Sequence, residues 1–582
     1  MKSKLLKITR NLYHNKLKSD FIKKIILFVY SLYKKFNRNL TLKYYFPLTI
    51  DGKDNLIGIP MFADDSKYSY YTQYYSETFN FISNDKTSIY MQKIEIYRAK
   101  EYLFTESECK FNFEGDVLLP ISLINKDAYT EVNNSFSVSI IKNNKEILLE
   151  NIAQNRFHYL KFNKNDNVQI NSNHNILIGK PIALNQAKKK KKKLVLNIFI
   201  DAFSASLFEK YSYEDLLPNT VKFFSKGVIF DNCYANGEST LPSLSSMFTG
   251  KYVKNNNFFH PRKRQIIGIN QKIISQYFSE EGYFTQLISG NYGQNPYQGY
   301  CLGFDRTIFK HSMKHNEIVY EFLDSMRVFK DRDVFTWLSF LDIHHSLNLT
   351  SSFSSGVELE LENHNYQVQD KIKTPFKGYC SKSTARYISE IKKIDYHLKS
   401  LYDYIESNYE EDEILISIVS DHGNSFTDET RKTNLLRKEK INVPFMIRGT
   451  GIEAKIQNDI IENVDILPTI LKFSGIKFDY QVIDGRIPNY FGGELKEVAF
   501  AESLYPNQTY KATIKDHKYE AFFETKSYVN QSGEVNLSDY SFVVYDIKND
   551  SLIVDEIVVK KYRQIMLDKV NRDKNGNLDY RT

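Results

Sequence analysis

The stretch GESTLPSLSSMFTG, residues Gly237 to Gly250, governs the reading of the whole chain. A polar loop turns here into a helix, with Pro242 near the first helical position, where its missing N–H is no loss. A hydroxyl at such a turn faces free backbone N–H groups and the positive end of the helix dipole, which suits a phosphate or sulfate oxygen. Thr240 is therefore the candidate nucleophile, expected to sit on a metal ion.

Working outward, Leu194 to Ile200 (LVLNIFI) is a continuous apolar run that ends on Asp201, the pattern of a strand buried on both faces of a parallel sheet. A helix and a second strand, VIFDNC, follow between Asn219 and Cys233. Alternation of strands and helices continues through GYFTQLISG from Gly282, VFTWLSFLDIHH from Val334 and EILISIVSDHG from Glu413. In the last of these, the strand Ile414 to Val419 ends on Asp421 and His422. Open α/β sheets collect ligands outside the carboxyl ends of their strands. Asp201 alone reads as a turn or helix-capping aspartate. Two carboxylates, an imidazole and the Thr240 hydroxyl delivered to one edge of one sheet form a ligand set suited to Zn or Mn.

These residues resemble the sulfatase-like branch of the alkaline phosphatase superfamily from about Lys193 to Lys560. That branch has a nucleophile box of Cys, Ser or Thr followed by x-Pro-Ser-Arg-x-x-Leu-x-Thr-Gly, and Thr240-Leu241-Pro242-Ser243 with Thr249-Gly250 keeps its register. Further marks follow in order: GYFTQLISG with LGFD at Leu302 to Asp305, DHG at Asp421, NVPFMIRGTGI at Asn442, VDILPTIL at Val464, DGRIP at Asp484 and VVYDIKND at Val543. The resemblance implies an alkaline-phosphatase-like α/β fold, a mixed and mostly parallel sheet flanked by helices. It also departs from the sulfatases. Thr240 cannot be oxidised to the formylglycine aldehyde, Leu244 stands where sulfatases place Arg, and Gly290, Asn291 and Tyr292 stand where they place a Lys and His pair. Ala202 follows Asp201 where their calcium site opens with paired aspartates.

What remains is similar to the phosphoethanolamine and glycerophosphate transferases of bacterial envelopes, in which a Thr becomes a phospho-threonine that is passed to an acceptor hydroxyl. By this resemblance Asp201, Thr240, Asp421 and His422 are the metal ligands. Asp342, His344 and His345 match an Asp-x-His segment that contacts the transferred group, with His344 preferred for proton handling and His345 the alternative. Relatives place a basic residue near the substrate oxygens just before NVPF, which makes Arg431, Lys432, Arg437 and Lys438 candidates beside the reading of a solvated basic face. Glu238 and Asn236 flank the nucleophile and read either as acceptor-binding residues or as turn chemistry; His260 is a weaker candidate.

The rest of the chain frames this centre. With 582 residues, two to four domains are expected. The 78 Lys+Arg against 70 Asp+Glu, net +8, favour anionic partners, while the absence of any RNA-binding or recognition-helix pattern sets nucleic acid aside. Tyr at 42 and Phe at 41 with only 13 Pro describe an aromatic, β-rich globular protein. Four scattered cysteines without CxxC give neither a disulfide framework nor a thiolate zinc site. Residues 1–40 hold an apolar run, Ile25 to Tyr33, flanked by lysines and too short to span a bilayer; it reads as a basic amphipathic helix, either on an anionic membrane surface or docked on its own domain. Residues 41–187 read as an N-terminal β-sandwich, with strands at Tyr68 to Tyr75, Val117 to Ile121, Ser135 to Ile141 and Val168 to Ile170. Lys188 to Lys193 read as a solvated linker, 194–497 as the catalytic α/β domain, and 498–582 as a small C-terminal antiparallel sheet with its tail. In that tail NRDKNGNLDYRT imitates an EF-hand loop, but Thr582 stands where the bidentate Glu belongs, which speaks against calcium.

The expectation is a metal-dependent phosphotransferase, moving a phosphoethanolamine-, glycerophosphate- or phosphoramidate-like group onto a glycan or lipid-headgroup hydroxyl through Thr240. The expected cofactor is one divalent ion, Mn or Zn ahead of Ca or Mg, with a second ion left open. The chain is expected in the cytoplasm, peripheral on the inner membrane face if the basic N-terminus binds there. The alternatives are a phosphodiesterase or phosphomonoesterase, a sulfatase, and a non-catalytic glycan-binding protein.

Overall fold

The computed structural model describes residues 69–74, 94–99, 103–105, 108–123, 137–150, 157–172, 176–178, 181–184, 192–261, 267–268, 271–294, 298–310, 313–344, 381–424 and 436–570. The chain forms two compact units, Met1–Thr72 and Gln73–Thr582, and everything below concerns the second. The expected N-terminal helix, Lys188 to Lys191, His345, Arg431, Lys432 and the EF-hand-like tail lie outside the described residues.

The body is built on Leu194–Ile200, buried at every position. It pairs in parallel with Val334–Phe340 on one side and Ile414–Val419 on the other. Phe284–Ser289 and Arg306–Phe309 extend the parallel run beyond Val334–Phe340. Asn442–Gly449 and then Val228–Tyr234 continue the sheet antiparallel beyond Ile414–Val419. Solid apolar runs form these strands because helices cover both faces of the sheet, so no face alternates with polar residues. Ile94–Ala99, counted by sequence with the N-terminal sandwich, instead pairs antiparallel with Arg306–Phe309 of this sheet.

Register decides what shares the carboxyl edge. Ile200 is level with Phe340, and Phe199 with Val419, so Asp201, Asp342 and Asp421 leave the sheet together. Asn442–Gly449 runs the other way, with Met446 level with Ile418, and its first residues reach that same edge.

Two antiparallel sheets between residues 103 and 183 enclose a shared core of Val117, Leu119, Ile121, Val138, Ile140, Phe162, Val168 and Ile170. This sandwich touches the body where Tyr159 meets Phe329 edge-on, ring centroids 4.9 Å apart. Phe329 in turn stacks on Phe284, the first residue of its strand, so this contact lies at the amino ends of the strands, opposite Asp201.

The C-terminal sheet runs Ala499–Ser503, Thr509–Lys515, Tyr519–Tyr528, Tyr540–Asp546 and Ser551–Leu552, all antiparallel. Helix Glu556–Val570, which the strand pattern did not announce, buries Tyr562, Met566 and Val570 against it. Among the described residues no helix is long and apolar enough to cross a membrane.

Candidate functional site

Helix Thr240–Thr249 starts on Thr240 and ends on Gly250, whose φ of 66° closes the last turn in the left-handed region that glycine tolerates. Ser239 precedes it in extended backbone and caps it with no side-chain bond, so the helix start keeps its donors for another partner. A Cβ on Gly237 would lie 2.9 Å from Pro242, which explains the glycine three residues before Thr240.

Thr240 Oγ1 donates to Asp201 Oδ2 at 3.2 Å and lies 3.4 Å from His422 Nε2. Asn291 Nδ2 donates to the same Asp201 oxygen at 2.6 Å. Asp421 Oδ1 accepts from the backbone N–H of Ala202 at 3.0 Å and of His422 at 2.8 Å. His422 Nδ1 lies 2.9 Å from the Gly423 carbonyl; a carbonyl only accepts, so Nδ1 carries the proton and Nε2 presents a lone pair. His422 Nε2 is 3.6 Å from Asp201 Oδ1 and 3.5 Å from Asp421 Oδ2. His344, its ring centroid 5.9 Å from that of His422, brings a ligand atom within 4.8 Å of those of Asp201 and His422.

Asp201 Oδ1 and Asp421 Oδ2 are buried with no hydrogen-bond partner. Burial and the neighbouring Asp421 charge push the Asp201 carboxyl well above its ordinary value, against the hydrogen bonds from Asn291 and Thr240. Burial also raises Asp421 to about 6 and lowers His422 to about 3. Open carboxylate oxygens converging on a neutral imidazole nitrogen are the donor set of a divalent cation, and these residues fit one.

Ala202 makes this geometry possible at a cost. Its φ of 62° is in the left-handed region, unfavourable for a residue with a Cβ. The turn aims its N–H at Asp421, and its carbonyl accepts from Tyr387 Oη at 2.6 Å and Asn424 Nδ2 at 3.0 Å. The position where sulfatases carry a second aspartate is thus a strained backbone turn.

Several candidates move. Asn236 is fully buried and its amide is committed: Nδ2 to Glu462 Oε1 and the Phe500 carbonyl, Oδ1 to the Val464 N–H. It ties the loop before Thr240 to the C-terminal sheet and has no donor left for an acceptor hydroxyl. Asp342 turns away from Asp201 towards His315, taking its backbone N–H at 3.1 Å and standing 3.1 Å from its Nδ1. Burial would raise the Asp342 carboxyl, but His315 and Lys314 outweigh it and hold it below its ordinary value. Glu238 is buried, which lifts its carboxyl to about 7, and its Oε2 has no hydrogen-bond partner. Lys438 pairs with Glu209 at the surface, and His260 Nε2 meets Gln531 Oε1 at 2.8 Å. Leu244 is fully buried, so the place of the sulfatase arginine is apolar core.

The residue that pattern reading missed is Lys440. It is 6% exposed; burial lowers its ammonium to about 8, against the pull of Asp421, Glu238 and Asp201. Its signal was position: it stands two residues before Asn442, where the antiparallel strand begins at the carboxyl edge of the sheet, and its carbonyl accepts from the Gly423 N–H at 2.6 Å. Asn291 was likewise named only for what it replaced, yet it fixes the Asp201 carboxylate. A Cβ on Gly293 would lie 2.6 Å from Thr240 Cγ2, so this loop can pass close to Thr240 only with glycine there.

Residues 193–476 match the sulfatase family model. The matched residues hold the central strands of the body, Leu194–Ile200 to Asn442–Gly449, and the Asp201, His344 and His422 group that could hold a metal ion. An extracellular sulfatase SULF-1 homolog of Drosophila melanogaster is 22% identical over 47% of this chain and 29% of its own length. A putative extracellular sulfatase Sulf-1 homolog of Caenorhabditis elegans is 23% identical over 45% of this chain and 44% of its own. The chain thus spans less than half the length of both. Solved structures that superpose on it include a putative sulfatase from Bacteroides thetaiotaomicron (15% identity, 68% of this chain and 96% of that one, TM-score 0.48) and the phosphonate monoester hydrolase of Agrobacterium radiobacter (16%, 65% and 95%, TM-score 0.48).

Proposed function

We propose that this chain is a metal-dependent esterase of phosphate esters that works through Thr240. The phosphoryl group passes from Thr240 to water or, in the finer form of the proposal, to a glycan or lipid-headgroup hydroxyl. The observation that carries it is the Thr240 hydroxyl at an uncapped helix start, 3.2 Å from Asp201 Oδ2 and 3.4 Å from His422 Nε2. Asp201, Thr240, Asp421 and His422 would hold the ion, with His344 in reach of the same centre. Such an ion, when bound, lowers the pKa of the nucleophile and offsets charge on the equatorial oxygens.

The protein's own residues do the rest. Thr240 Oγ1 passes its proton to Asp201 Oδ2, with which it is hydrogen-bonded, and attacks phosphorus. The Oγ1–P bond forms as the bond from phosphorus to the leaving oxygen breaks, and His344 protonates that oxygen. An incoming water or hydroxyl oxygen, giving its proton to His344, then displaces Oγ1, which recovers its proton from Asp201. The Lys440 ammonium and the free N–H groups of the helix start bind the non-bridging oxygens. Asn291 holds Asp201 in place.

A second reading, sulfate-ester hydrolysis, is favoured by the family match and the names of the curated relatives. Against it stand a threonine that cannot become formylglycine, the buried Leu244, and Asn291 in the place of a cation. The proposed partners are an anionic phospho-donor and a hydroxyl acceptor, without nucleic acid. The proposed location is the cytoplasm, peripheral on the membrane if the basic N-terminus binds it; recovery of the native protein from the culture medium would overturn this part.

The test offers the purified chain, with Mn or Zn, bis(nitrophenyl) phosphate, a nitrophenyl phosphonate and nitrophenyl sulfate. Phosphate or phosphonate turnover should lead, fall on the order of 10³-fold or more in Thr240→Ala, and leave a phosphorylated Thr240 detectable by mass spectrometry. Release of that adduct by glycan and not by water separates transferase from hydrolase. Sulfate turnover exceeding both phosphorus substrates overturns the proposal in favour of a sulfatase.

A further inference from the structure

A second cluster of metal-ligating side chains shares no residue with the Thr240 site. His315 opens helix His315–Phe329, Asp342 follows strand Val334–Phe340, and Glu390 lies in the long helix Ser381–Asn408. Three elements distant in sequence bring one ligand atom each within 4.8 Å of the others. A second imidazole, His397, stands beside His315 with ring centroids 4.8 Å apart. His397 follows Glu390 by seven residues, two turns along the same helix face.

His315 and Asp342 face each other across a short ion-pair contact. His315 Nδ1 and Asp342 Oδ1 lie 3.1 Å apart, both buried. Asp342 Oδ2 is anchored by the His315 backbone N–H at 3.1 Å, which leaves Oδ1 as the oxygen turned to the cluster. Two donors on one tetrahedral zinc, each about 2.0–2.2 Å from it, stand about 3.3 Å from each other. The observed 3.1 Å is close to that spacing, so an ion fits between the two groups.

We propose that His315, Asp342 and Glu390 bind a divalent transition-metal ion of the zinc class, with His397 available as a fourth ligand. Mixed imidazole and carboxylate donors select zinc or its neighbours over calcium or magnesium, which prefer oxygen alone. Two lysines compete for the carboxylates. Lys314 Nζ is 3.7 Å from Asp342 Oδ1, and Lys393 Nζ is 2.8 Å from Glu390 Oε1. Their side chains are 30% and 41% exposed, so both can swing into solvent, and pairs of this kind hold weakly. The ion would clamp the long helix to the strand end that carries His344 two residues past Asp342. It is a positioning site and takes no part in the bond-making at Thr240.

Metal content after zinc loading and gel filtration tests this directly. The wild type should hold two equivalents of zinc per chain. His315→Ala and Glu390→Gln should each lose one, while Asp201→Asn should lose the other and keep this one. Glu390 is partly exposed, so its variant should fold even if His315→Ala does not. Cobalt in place of zinc should give a visible band that persists in Asp201→Asn and disappears in Glu390→Gln. Full zinc content in Glu390→Gln overturns the proposal, as does a wild type whose bound zinc is lost entirely in Asp201→Asn.

Discussion

Glu462 and Asp465 are as deeply buried as Asp201 and Asp421, and in both places two carboxylates lie in one interior. At Glu462 every oxygen is used: Oε1 accepts from Asn236 Nδ2 at 3.1 Å and the Phe500 N–H at 2.7 Å, and Oε2 accepts from Tyr252 Oη at 2.8 Å and from Lys496. Asp465 accepts from the Arg486 N–H at 2.9 Å, the Glu462 N–H at 2.9 Å and Lys496 Nζ at 2.7 Å. At the strand edge one oxygen of each aspartate is left open, and Lys440 acts on both only through its field. The difference separates a joint from a site. A satisfied pair of buried acids with its own lysine fastens the loop before Thr240 to the C-terminal sheet, whereas an unsatisfied pair keeps charge for a ligand.

The comparison can be broken first at Lys496. Lys496→Met leaves two buried acids without a counter-ion and should cost about 3–5 kcal/mol in urea unfolding, with Mn or Zn affinity unchanged. The converse substitution, Asp201→Asn, should leave the melting temperature of the metal-stripped protein unchanged or higher, because it removes one of two repelling charges. In calorimetry it should weaken binding at the Thr240 site by more than the roughly 10–100-fold typical of outer-sphere partners. If Asp201→Asn destabilises the stripped protein as much as Lys496→Met does the wild type, both clusters are structural. Asn291→Leu should fall within that 10–100-fold range, since it loses only the bond that orients Asp201.

The smallest effect is in pH. Burial would raise Glu462, but Lys496 outweighs it and the carboxyl titrates below its ordinary 4.5; Lys496 titrates above its ordinary 10.5, the two acids overcoming burial. A depressed carboxyl stabilises the fold above its unfolded pKa and loses that contribution as pH falls through the folded one. A raised lysine stabilises below its unfolded pKa and loses it as pH rises through the folded one. The stability gap between wild type and Lys496→Met should therefore be widest between these values and narrow in both acid and alkali, as read by denaturant titration across pH. A gap that does not change with pH would show that the lysine acts by packing alone.

Much of the centre was legible because strand ends announce themselves. LVLNIFI before Asp201 and ILISIV before Asp421 are continuous apolar runs that only a covered parallel strand can use, and their lengths put the next polar residue at the edge. The cations before NVPF were not separable in this way. Arg437, Lys438 and Lys440 share one short segment, and only the one-turn helix Lys438–Ile441, running into an antiparallel strand, turns Lys440 inward and Lys438 out to Glu209. Asp342 and His344 likewise look alike as a pair two residues apart. The turn after Phe340 sends the first to His315 and the second to His422.

By itself the sequence determined the sheet, the strand-end acids and the hydroxyl at the start of helix Thr240–Thr249, since these follow from periodicity and local turn chemistry, which act between near neighbours. Only the tertiary structure decided which polar groups are spent and which stay open. Asn236 and Asp201 both lie beside strand ends, yet one is saturated by residues more than two hundred positions away and the other keeps a free oxygen. Hydrogen-bond satisfaction is a property of three-dimensional neighbours, and no spacing along the chain encodes it.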